Sequence, residues 1–258
     1  MKKSGLFSAI LIVVALIAAA IVYYFVFGNP ANFKNPEKTT PANLLGSAYL
    51  GGVVLIALMT VSIMVITYAI ERALSLGKAK GKSEVSVFLK NVQNALRDGD
   101  TDGAIAACDK QKGSIANVIR QGLVAFQIAT VDKTLNEEQK LAEVRTSIEE
   151  AMGLELPLLN RNMSALATLA SISVLIGLFG TVVGMIKSFS ALATAGTPNA
   201  AELSAGISEA LFNTAFGLFG AVVGTIFYNF FLTKIGNLTY MMDEATYNIL
   251  ALLAIKKN

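Results

Sequence analysis

"GISEALFNTAFGLFGAVVGTIFYN", Gly206 to Asn229, is apolar for long enough to cross a bilayer, which takes about 20 residues, yet it carries an acid, an amide and a row of glycines. Glu209 is the only acidic residue inside any apolar run of the chain. A carboxylate in hydrocarbon is costly unless it is neutralised, paired or facing water, so its presence needs a reason. On a helix turning about 100° per residue, Glu209, Asn213, Gly217, Gly220 and Gly224 fall within one quadrant, with Thr214 at its edge. The preceding apolar run contains "GLFGTVVG", Gly177 to Gly184. There Ala170, Gly177, Thr181, Gly184 and Ser188 fall on one narrow stripe. Both helices therefore present a small, weakly polar face.

Composition agrees with a membrane protein. Of 258 residues, 54% are hydrophobic and only 15% charged. Histidine and tryptophan are missing and Cys108 is the lone cysteine. An intramolecular disulfide, a Cys/His zinc site and an imidazole proton relay are thereby excluded. A net charge of +3 is too small to argue for nucleic acid. Four runs qualify as spans: Leu6 to Phe27, Ala48 to Ile70, Ser164 to about Phe189, and Gly206 to about Leu232. Lys2 and Lys3 precede the first, Arg72, Lys78, Lys80 and Lys82 follow the second, Arg161 precedes the third and Lys234 follows the fourth. The positive-inside rule places all these flanks, and both termini, in the cytoplasm. The first run also reads as a signal peptide ending near Ala18 to Ala20, but it continues through "IVYYFVFG", too long for a signal core, and an uncleaved anchor is expected.

The chain thus divides into an anchor and outer loop (1–47), a second span (48–70), a cytoplasmic helical domain (71–163), a transmembrane helix pair (164–232) and a cytoplasmic C-terminal helix (233–258). Val85, Phe88, Leu89, Val92 and Leu96 recur at helical spacing, as do Leu141, Val144, Ile148 and Met152. The second pattern predicts one long helix entering the third span, kinked near Pro157. Ile235, Leu238, Met242, Ala245, Ile249 and Leu252 predict a packed seam running to the C-terminus.

Two further motifs, one in the cytoplasmic segment and one in the third span, have simpler readings. "DGDTDGAIAACD", Asp98 to Asp109, places Asp98, Asp100, Asp102, Gly103 and Ile105 as a calcium loop would, but the twelfth position is Asp109 instead of glutamate. A helix capped by Asp102 is the expectation. In "GTVVGMIKS" the spacing from glycine to Lys187 and Ser188 is wrong for a phosphate loop. Nothing in the sequence points to catalysis, a cofactor or a metal.

Small residues at four- and seven-residue spacing allow close packing of membrane helices, and for the glycines alone that reading is preferred. Glu209 and two threonines on the same faces tilt it toward a lined pathway. "LATLASISVLIGLFGTVVGMIKSF" and "GISEALFNTAFGLFGAVVGTIFYN", in this order around a short outer loop, resemble the ExbB/TolQ/MotA family of proton-channel motor subunits, above all its ExbB and TolQ branches. The resemblance runs from about Ala48 to the C-terminus. It implies an all-α integral protein of the bacterial inner membrane, with a three-span core, long cytoplasmic helices and here an extra N-terminal span. It further implies a homopentameric ring around single-span ExbD- or TolR-like helices, one aspartate of which carries protons to drive a TonB- or TolA-like client. By that resemblance Thr181, Glu209 and Thr214 are the pore positions. Gly177, Gly184, Ser188, Asn213, Gly217 and Gly220 are then expected to line the pore or pack against the partner, with membrane lipids outside. Ser173 and Val174 depart from a proline common in relatives, and Asn213 from a small apolar residue. A passive scaffold would tolerate Glu209→Gln, and a secondary transporter would show an internal repeat, which is not seen in these spans.

Overall fold

The computed structural model describes the backbone of residues 2–194 and 200–255, and the side chains of 9–193 and 202–254. The side chains of Lys2 and Lys3 lie outside the described residues. The protein is all-α, with no strand among the described residues. The helices are α1 (Lys2–Ile21), α2 (Leu44–Tyr49), α3 (Gly52–Lys80), α4 (Val85–Arg97), α5 (Thr101–Gln111), α6 (Ser114–Val131), α7 (Glu137–Leu159), α8 (Met163–Thr194) and α9 (Ala200–Ile255). Four helical stretches are long and apolar enough to cross a membrane. The chain forms two compact units, Met1–Ile70 with Ser164–Asn229, and Glu71–Met163 with Phe230–Asn258.

In the first unit, α1 passes into a wider π-helical turn, Val22–Phe27, closed by the Gly28 N–H donating to the Tyr23 carbonyl at 2.9 Å. Tyr23 stacks on Tyr49 with ring centroids 4.7 Å apart, and its hydroxyl donates to the Tyr49 carbonyl at 2.8 Å. With Ala48 and Leu55 it forms a buried cluster that receives Phe212 and Phe216 from α9. Asn32 ties the intervening loop together: its amide donates to the Val26 carbonyl at 2.7 Å and accepts from Asn43 at 2.9 Å. Most other α1 side chains, such as Val13, Val14 and Ile17, and Phe25 of the π-helical turn, are exposed and apolar, as a lipid-facing surface requires.

The second unit is a helical bundle. Val85, Phe88, Val92 and Leu96 of α4 are buried as their spacing predicts, and so are Val144 and Ile148 of α7, while Leu89, Leu141 and Met152 are only half-buried. Helices α6 and α7 approach so closely at Gly122 that a Cβ there would lie 2.6 Å from Ile148. Burial, reinforced by the neighbouring Asp109, pushes the Cys108 thiol up to about 12, the environment of an inert structural cysteine.

Three local expectations are corrected. The cap of α5 is Asp100, whose Oδ1 accepts from the Gly103 N–H at 2.7 Å. Asp102 sits inside the first turn and accepts from Gln127 at 2.6 Å. Pro157 does not kink a continuous helix: α7 ends two residues later, and Asn162, in the left-handed region at φ 59, turns the chain into α8. Asparagine tolerates that conformation at little cost. The C-terminal seam holds through Ile249 but ends on Leu253, with Leu252 only half-buried, because a strict three-four pattern drifts on a straight helix.

Arg72, 1% exposed, closes the base of α3. Its guanidinium donates to both carboxylate oxygens of Glu71, at 2.7 and 2.5 Å, and to the Leu159 carbonyl at 3.3 Å. Asn162 donates to the same carboxylate at 3.1 Å. Partial burial opposes ionisation of Glu71, but the hydrogen bonds from Arg72 and Asn162 and the charges of Arg72 and Arg161 outweigh it and hold the carboxyl below its ordinary range. A depressed folded-state value means stability that is present above the ordinary carboxyl range and lost as pH falls through the lowered one. We predict that the wild type melts higher than Glu71→Gln at pH 7 and that this advantage disappears on acidification below about pH 4, as read by circular dichroism of the detergent-solubilised chain.

Candidate proton pathway

Helices α8 and α9 pack antiparallel through their small faces. Going down the contact, Ser188 meets Gly206, Gly184 meets Ala210, Gly180 meets Asn213, Gly177 meets Gly217, Ser173 meets Gly220 and Ala170 meets Gly224. Backbones nearly touch at its centre, where a Cβ on Gly217 would lie 2.7 Å from the Ser173 carbonyl oxygen and 2.8 Å from the Gly177 Cα. Ser173 is fully buried and donates to the Gly217 carbonyl at 2.9 Å; Ser188 donates to Gly184 at 3.1 Å and to Leu203 at 3.2 Å. Within the chain, then, Gly177, Gly184, Ser188, Gly217 and Gly220 are occupied by helix–helix packing. Such faces let membrane helices gain dispersion contacts where no hydrophobic effect drives them together.

Thr181 and Thr214 sit at one level of this hairpin, both half-buried at the edge of the contact. Thr214 donates to the Gly177 carbonyl at 3.3 Å and Thr181 to the Leu178 carbonyl of its own helix at 2.6 Å. Each hydroxyl thus donates its hydrogen bond to a backbone oxygen and keeps lone pairs to accept another.

Nearer the connection between the two helices, Glu209 accepts from Lys187 Nζ at 2.6 Å, with side chains 10% and 56% exposed respectively. Gly51 and Gly52 close the third side. Gly52 has φ +66, and a Cβ there would be 2.9 Å from Glu209 Oε1, so glycine serves both the left-handed backbone and the room for the carboxylate. Asn213, fully buried, donates to the Gly51 carbonyl at 3.0 Å, while its Oδ1 meets no donor among the described residues. A buried acceptor of this kind is where an internal water finds a partner.

The structure brings Glu209, Asn213, Thr181 and Thr214 onto one hairpin and adds three residues that sequence reasoning missed: Lys187, Gly51 and Gly52. Lys187 is the only basic residue within the four apolar runs, as Glu209 is the only acid, and that complementarity was the available signal.

A profile of the MotA/TolQ/ExbB proton channel family matches residues 110–244, which contain this hairpin. The chain belongs to that family. It is 32% identical over 183 residues to a putative ExbB-like biopolymer transport protein of Synechocystis sp., covering 70% of this chain and 81% of that protein. A biopolymer transport protein ExbB of Pseudomonas putida is 33% identical over 155 residues, 56% of this chain and 46% of that one. A Tol-Pal system protein TolQ of Pseudomonas aeruginosa is 34% identical over 120 residues, 46% of this chain and 52% of that one. The chain therefore spans about half the length of the latter two relatives. Family and apolar helices together make it a multi-pass protein of the bacterial inner membrane.

The glycine contact makes a graded prediction. Gly217→Ala forces a methyl against unyielding backbone and should destabilise the chain by about 1–3 kcal/mol. Gly236→Ala, where a Cβ meets nothing within 4 Å, should be neutral or slightly stabilising. Thermal unfolding in detergent, followed by circular dichroism, distinguishes the two.

Proposed function

We propose that this chain is the ring-forming subunit of a proton-driven motor, in which α8 and α9 of several copies, five by resemblance, surround the single helix of an acidic ExbD- or TolR-like partner. The observation that carries the reading is the Glu209–Lys187 pair with Asn213, Thr181 and Thr214 on the same hairpin. A helix pair built only for packing has no use for an ion pair in hydrocarbon, whose desolvation is a standing cost. Protons crossing the membrane release about 2.3 kcal/mol per charge per 100 mV, enough to rock or turn a partner helix without ATP. The client we favour is a TonB-type system for outer-membrane transport. A TolQ-like envelope motor or gliding apparatus is the second reading, supported by the TolQ relatives.

In this proposal Thr181, Glu209 and Thr214 conduct or hydrate the pathway, and Lys187 holds Glu209 until the partner arrives. Thr181→Val and Thr214→Val keep shape and should assemble normally, yet lower proton-driven activity about tenfold, the scale of one lost hydrogen bond. Glu209→Gln should assemble and lose most activity. Client activity compared at matched levels of assembled complex is the measurement; unchanged activity in Glu209→Gln favours a passive scaffold instead.

We also propose that both termini and the second unit are cytoplasmic, from the lysine flanks. With the buried Cys108 replaced by alanine, a cysteine at exposed Glu37 should react with an impermeant maleimide added to spheroplasts, and one at exposed Lys82 should not. The reverse pattern would invert the topology.

A further inference from the structure

Where the second and fourth apolar runs end, α3 and α9 form a half-enclosed pocket of 390 Å³. One end is lined by Ala73, Leu76 and Phe230 and the other by Lys80, Lys234 and Asn237. No acidic residue lines it, and neither lysine has a carboxylate partner among the described residues. Lys234 rests over the Phe230 ring at 4.7 Å from its centroid. The order along each helix is the same. Phe230 lies in the last turn of the fourth apolar run and Ala73 three residues beyond the second, and Gly77, Lys234, Lys80 and Asn237 follow within the next turns. Gly77 leaves the wall open, since a Cβ there would meet nothing within 4 Å.

We propose that this pocket binds an anionic phospholipid, its phosphate between Lys80 and Lys234, its glycerol toward Asn237 and its acyl chains along Phe230 and Ala73. Lys234 stands two residues beyond the fourth apolar run and Lys80 ten beyond the second, and two unpaired cations on the lysine-rich side of the spans match an anionic headgroup in charge, with the long lysine stems reaching back toward it. Lys78 and Lys82 add to the same field. A soluble anion has no group to cover Phe230, whose ring is half-exposed. An apolar helix or a second copy packed there would strip water from two ammonium groups and return no counter-charge.

The test is native mass spectrometry of the full-length assembly, reconstituted with phosphatidylglycerol and phosphatidylcholine at equal mole fraction. Phosphatidylglycerol should be retained preferentially, and Lys80→Gln with Lys234→Gln should reduce that preference about tenfold or more, given the pull of each lysine on an anionic lipid. Gly77→Leu, which fills the open wall of a helix it suits and leaves both charges in place, should displace the lipid as well. Equal retention of the two lipids, an unchanged preference in the double variant, or retention undiminished in Gly77→Leu would each overturn the proposal. So would displacement of the lipid by millimolar inorganic phosphate, which identifies a soluble-anion site, or a change of oligomeric state in Gly77→Leu, which identifies a subunit interface.

Discussion

The close approach of α8 and α9 is the constraint on which the membrane unit depends. At Gly177 and Gly217 the two backbones are in contact, and no side chain can be added there without moving one of them. That contact fixes the register of the hairpin, because sliding it by one turn would drive Asn213 or Ala210 into a position that only glycine fits. Register in turn sets which polar groups meet. Thr181 comes level with Thr214, and Lys187 comes within a hydrogen bond of Glu209, only in this alignment. The glycines and the polar residues are therefore one device: the first supply geometry and the second use it.

The ion pair has its own logic. Alone, either charge in hydrocarbon would be prohibitively exposed to a medium that cannot solvate it; paired, they are neutral to a distant observer. Lys187 keeps half its surface free, so its flexible stem can carry the ammonium away from the carboxylate, whereas Glu209, 10% exposed and set against Gly52, stays. The fixed partner is the acid and the movable one is the base. The orphaned Oδ1 of Asn213, one turn below, marks the direction in which polarity continues toward the threonines.

Much of this was legible in the chain. The four spans followed from apolar length, and the stripes on α8 and α9 from helical spacing, because both depend on local patterns that tertiary contacts do not override. The preference for packing at the glycines is what the in-chain contact displays. Lys187 was passed over because one positive charge near a span end ordinarily snorkels to the headgroups, and only the antiparallel register reveals that it faces Glu209 instead. Gly51 and Gly52 were invisible for a related reason, since they act through backbone position against a helix more than 150 residues away in the chain. The cap on Asp100 and the break after Pro157 were missed by one or two residues, as element ends usually are.

The distribution of charge also bears on why such a hairpin would work with a second protein. From Glu209 to Asn229 there are 20 residues, a rise of about 30 Å, without another acidic or basic side chain. The same holds on α8 from Lys187 back to Ser164. Hydroxyls can orient water and pass hydrogen bonds along, but a threonine cannot hold a net charge midway through a low-dielectric slab. A proton that reaches the level of Thr181 and Thr214 therefore needs an ionisable group that this chain does not provide there. In the proposed motor, a single acidic helix placed against the half-exposed edge of the hairpin would supply that group, and the threonine oxygens, having donated to backbone carbonyls, keep lone pairs that could accept a hydrogen bond from its protonated form. On the proposed reading, an ion pair at one end, hydroxyls in the middle and no carrier between them would make the hairpin one half of a pathway whose other half a partner supplies.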